Sequence, residues 1–106
     1  MLFSIVLLLA ADGSAPGFMS GRTLLALCDS DEVACARYIA GVSDALNAEQ
    51  GSGMIPRYYC APPHFTPGDA IDTVAKALRN DPATLDQGGA GLTITALRDA
   101  YPCKKE

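Results

Sequence analysis

The chain has 106 residues, with 8 Lys and Arg against 12 Asp and Glu, a formal net charge of −4 and no tryptophan. That length holds one domain. Mild acidity, few aromatics and no basic cluster beyond Lys104-Lys105 argue against nucleic acid as a partner.

Residues 2–11, LFSIVLLLAA, carry no charge, and Asp12, Gly13, Ser14, Ala15 and Pro16 break the run. The stretch fits the apolar region of a signal peptide and is too short to cross a bilayer as a helix. A leader within residues 1–15 is therefore expected, followed by a domain over 17–106. Ala10-Ala11 offers a cleavage site, although Leu8 and Leu9 stand where a small residue is preferred and no Lys or Arg precedes the run. Four cysteines, at 28, 35, 60 and 103, argue for export independently. An even count in a small chain reads as a disulfide framework formed in an oxidising compartment. The competing reading is four reduced core cysteines in a cytosolic protein.

Ser20 caps a first helix running through Thr23, Leu24, Leu25 and Leu27 to Cys28. In DSDE (29–32), Asp29 and Glu32 have the spacing of a capping box for the second helix. Cys35, Tyr38, Ile39, Val42, Ala45 and Leu46 recur at steps of three and four, which places them on one buried face. Gly41 lies inside this helix at a cost of about 1 kcal/mol relative to alanine, so it is expected to mark the close approach of another helix. Gly51 and Gly53 end the helix. Residues 54–66, MIPRYYCAPPHFT, form an extended loop that is too apolar for a solvated linker, so Ile55, Tyr58, Tyr59 and Phe65 are expected to lie across the helices. Thr66-Pro67-Gly68-Asp69 is a helix start, with Thr as N-cap and Pro in the first turn. Ile71, Val74, Ala75 and Leu78 form the third helix's buried stripe, and Asn80, Asp81 and Pro82 end it. The polar stretch DQGGAG (86–91) precedes a last helix carrying Leu92, Ile94, Leu97 and Tyr101, which Pro102 stops. No segment alternates at period two long enough for a strand. The fold class read from these elements is all-α, a small four-helix domain with two disulfides.

Four cysteines permit three pairings. Cys28 closes the first helix and Cys35 opens the second, so a short turn brings them together. If helices three and four are antiparallel, Cys60 before the one meets Cys103 after the other. The topology thus favours 28–35 and 60–103.

The chain is poor in catalytic signals. His64 is the single histidine, and Ala61-Pro62-Pro63 holds it away from Cys60, so a Cys-His nucleophile pair is not expected. The cysteines provide no closely spaced ligand pair for zinc. There is no P-loop or dinucleotide fingerprint. Asp69, Asp72, Asp81, Asp86 and Asp99 read as caps and solvated helix faces. No enzyme activity, metal or cofactor is expected. Asp86, Gln87, Gly88 and Gly89 are polar, flexible and free of obvious core duty, and loops on a stapled scaffold are where binding concentrates.

The run GFMSGRTLLALCDSDEVACARYIAGVSDAL (17–46) resembles the Rap/Tai family of periplasmic immunity proteins associated with type VI secretion. The shared positions are Gly17-Phe18, Ser20-Gly21, Leu24-Leu25 and Cys28, then Cys35, Tyr38-Ile39, Gly41-Val42 and Asp44-Ala45. Further on they are Cys60, Pro62, Phe65-Thr66, Val74, Leu78, Asp81-Pro82, and Ala96-Leu97-Arg98 through Tyr101-Pro102-Cys103. The chain departs from the pattern at DQGGAG (86–91), where the family has a more ordinary helix-forming stretch. The resemblance implies a non-catalytic, disulfide-bonded helical protein of the periplasm, often a homodimer. It would bind and inhibit a peptidoglycan amidase toxin, with the loop between helices three and four entering the toxin's groove. After leader cleavage no membrane association is expected. A generic periplasmic stress or chaperone-like helical binding protein is the alternative.

Overall fold

A computed structural model describes residues 19–104; the expected leader lies outside them. Four helices account for the fold: α1 (Gly21–Ser30), α2 (Glu32–Ser52), α3 (Pro67–Asn80) and α4 (Gly89–Ala100), with a single 3₁₀ turn at Pro82–Thr84 between the last two. Among the described residues β-type pairing is confined to an isolated bridge between Ser20 and Gly88. No described helix is long and apolar enough to cross a membrane.

The helix boundaries follow from capping chemistry. Ser20 is extended and its Oγ accepts from the Thr23 amide, which opens α1. Asp31, not Asp29, caps α2: its carboxylate accepts from the Ala34 amide. Helix α1 runs on to Ser30, so only Asp31 is left to break the chain, and Asp29 instead pairs with Arg79 of α3 at 2.7 Å. Gly53, at φ 80°, ends α2 in the left-handed conformation that glycine adopts without penalty. Thr66 and Asp69 form the reciprocal capping box of α3, with Pro67 in its first turn.

Both disulfides join the pairs that the topology favours: Cys28–Cys35 across the α1–α2 junction and Cys60–Cys103. The second places the start of α3 beside the end of α4. There Phe65 meets Tyr101 edge-on at 4.9 Å, and the Cys60 amide donates to the Tyr101 carbonyl at 2.8 Å. One core runs through all four helices and includes Leu24, Cys35, Ile39, Val74 and Leu97, each with no exposed surface. Tyr59 from the 54–66 loop closes it. Ile55 and Phe65 pack against it as expected, whereas Tyr58 is 40% exposed.

Two helix faces are turned from their expected setting. On α2 the buried line is Cys35, Ile39, Ser43 and Leu46, with Ala45 exposed. On α4 it is Gly89, Thr93, Ala96 and Leu97, with Leu92 and Ile94 at the margin. Thr93 can be buried because its hydroxyl donates to the Gly89 carbonyl one turn back, at 2.8 Å. Gly41 is not at a helix crossing: a Cβ placed there meets nothing within 4 Å. With no steric demand for glycine, Gly41→Ala is expected to raise stability by about 0.5–1 kcal/mol, read as a higher urea midpoint. The close approach is at Gly21, where a Cβ would collide with the Leu92 side chain and lie 3.2 Å from the Leu85 carbonyl.

Candidate partner-binding surface

The turn from Leu85 to Gly88 joins the 3₁₀ turn to α4 and is fastened by its backbone. The Gly21 amide donates to the Gln87 carbonyl at 2.8 Å and the Arg22 amide to the Leu85 carbonyl at 2.7 Å. The Gly89 amide donates to the Met19 carbonyl, also at 2.7 Å. These bonds occupy amides at the starts of α1 and α4 that no intrahelical carbonyl can reach. Leu85 is buried beneath them. The stretch that read as free of core duty is therefore an anchored turn, and its last residue, Gly89, is already helical.

The four residues singled out there have different settings. Asp86 and Gln87 project into solvent. Asp86 Oδ1 accepts from Arg22 Nε and Nη2 at 3.2 and 3.1 Å, while the carboxylate side chain stays 86% exposed. Gly88 is half-buried at the N-cap of α4. Gly89 is buried: a Cβ there would stand 3.2 Å from both the Met19 carbonyl and the Tyr38 hydroxyl. The backbone of this turn is thus fixed from below and its polar side chains point outward, which suits recognition with little ordering cost.

The 54–66 loop is fastened by one side chain that gave no sequence signal. Gln50 Oε1 accepts from the Tyr58 and Tyr59 amides at 2.7 and 3.3 Å, and its Nε2 donates to the Tyr59 carbonyl at 3.4 Å. The Tyr59 hydroxyl donates to Asn47 Oδ1 at 2.7 Å. Burial raises the Tyr59 pKa; the Asn47 bond opposes this and Asp44 adds to it. A raised tyrosine pKa stabilises the fold fully below the unfolded value near 10, and this is lost as pH climbs through the folded value. Unfolding midpoints between about pH 8 and 11 should fall only at the alkaline end, and less steeply in Tyr59→Phe.

Beside this network lies a cleft of about 220 Å³ between α2 and the start of α3, walled by Ala40, Ser43, Asp44, Asn47, Phe65 and Ala70 among others. Spacing along α2 places 40, 43, 44 and 47 on one side, but nothing in the sequence tells which loop covers them. His64 is exposed on the 54–66 loop, and all four cysteines are oxidised, so none provides a thiolate.

A family model described as Rap1a immunity proteins matches residues 20–103. No curated protein and no solved structure matches.

Proposed function

Because the chain belongs to the Rap1a immunity protein family, and so is an immunity protein against a toxin, we propose that its target is a peptidoglycan amidase delivered by type VI secretion. The observation that carries this reading is the extent of the match, which takes in all four helices and all four cysteines. The protein would act in the periplasm, where an apolar leader would direct it and where both disulfides would persist. It would do no chemistry of its own and would inhibit by occupying the toxin's groove.

In this proposal Asp86, Gln87 and Gly88 make the contact, and Gly89 holds them in place from within α4. The fastened backbone and outward side chains support that assignment. A homodimer belongs to the same reading; sedimentation of the oxidised protein should give about twice the mass of one mature chain.

The test is a binding titration against a type VI-delivered Cys-His peptidoglycan amidase. Gln87→Trp enlarges an exposed side chain without touching the backbone bonds. Its expected effect is at least a hundredfold loss of affinity, about 2.7 kcal/mol, with the urea midpoint unchanged. Unaltered inhibition by a folded Gln87→Trp protein would move the contact elsewhere. Failure of the parent to bind would remove the amidase as target and favour a general binding role.

A further inference from the structure

We propose that the cleft between α2 and the start of α3 receives an arginine side chain of the partner protein. Ser43 is 8% exposed, and its enclosed Oγ makes no hydrogen bond among the described residues. A hydroxyl withdrawn from water without a partner is a standing cost, which a bound donor relieves. The other polar groups lining the cleft include acceptors. Asp44 presents a carboxylate that enters no ion pair among the described residues. Asn47 Oδ1 already accepts from Tyr59 and retains a second lone pair. No Lys or Arg lines the cleft.

An anion is disfavoured by Asp44 and by the capping box, in which Thr66 Oγ1 takes the Asp69 amide at 3.1 Å. A neutral apolar side chain would leave Ser43 and Asp44 unanswered. A guanidinium presents five donors in one plane, enough for a carboxylate, an amide oxygen and a hydroxyl together. Its stem would lie along Ala40 and Ala70, and Phe65 offers an aromatic wall for the planar head. Phe65 is held by edge contacts to Tyr101 at 4.9 Å and to Tyr59 at 6.4 Å, so that wall is set before a partner arrives. The cleft is at the opposite end of α3 from the 85–88 turn, and the 14 residues of α3 span about 21 Å. It is therefore a second contact point. It rests on the proposed function only for the identity of the protein that carries the arginine.

The direct test is a nuclear magnetic resonance titration of the oxidised, nitrogen-15-labelled protein with N-acetyl-arginine N-methylamide, with the lysine and norleucine analogues as separate arms. The expected result is saturable shifts at the Ser43, Asp44, Asn47 and Ala70 amides with arginine. Binding should be at least fivefold weaker with lysine and absent with norleucine. Asp44→Asn should weaken arginine binding at least fivefold at an unchanged urea midpoint. Equal response to lysine, an unaffected Asp44→Asn protein, or no saturable shift overturns the assignment. In the amidase titration, Asp44→Asn should cost about tenfold in affinity; no change there while Gln87→Trp fails would rule out toxin docking in this cleft. If the parent binds no amidase, the proposed target fails and the arginine titration alone decides the cleft.

Discussion

Replacing Cys60 and Cys103 together by alanine is expected to lower the free energy of unfolding by about 4 kcal/mol. The bond spans a sequence separation of 43, so in the chain-entropy view its loss frees a long segment of the unfolded ensemble. Cys28–Cys35, at a separation of 7, is worth about 2.5 kcal/mol on the same basis. The longer bond also holds a place where much converges: Tyr59 and Phe65 on one side, Tyr101 on the other, and the Cys60 amide on the Tyr101 carbonyl. A domain of this size commonly has only about 5–15 kcal/mol in total, so the double variant should be near its folding threshold. Urea unfolding of both double-alanine variants checks the order. A loss below about 1 kcal/mol for the Cys60/Cys103 pair would mean that the aromatic packing holds the junction unaided.

Leu97→Ala is expected to cost about 3 kcal/mol. Leu97 has no exposed surface and belongs to the core shared by all four helices. Its truncation leaves a cavity in that core, which places the cost within the usual range of about 2–5 kcal/mol. Ile94→Ala is the internal control. Ile94 is at the margin of the core, and its truncation should cost about half as much. Equal costs for the two would return α4 to the face setting read from its apolar spacing alone.

That comparison shows where sequence periodicity is informative. Thr66, Pro67 and Asp69 specify a helix start by local bonds that involve no other part of the chain, and the structure has that start. The cysteine pairs follow from helix order, because a junction and an antiparallel pair restrict what can meet. The face of α4 does not follow, since a buried threonine that bonds to its own helix looks polar in sequence yet packs as core. Gly41 was misread for a related reason: a glycine without steric demand is indistinguishable in sequence from one at a crossing, and the crowded glycine is Gly21. In the candidate surface, Asp86 and Gln87 were legible as exposed polar residues. The backbone bonds that fasten them to the start of α1 were not, because they pair residues more than sixty positions apart through atoms every residue carries. The cleft was hidden likewise, since it exists only where the 54–66 loop folds over α2, and the Gln50 side-chain amide that ties the loop to α2 carries no sequence signal.

The most direct measurement of the central claim is the rate of peptidoglycan cleavage by a type VI-delivered amidase as oxidised protein is added. The account predicts a linear fall in rate to zero at one inhibitor chain per enzyme, with Gln87→Trp ineffective at the same ratio. Undiminished cleavage at a tenfold excess of folded, fully oxidised protein would contradict it.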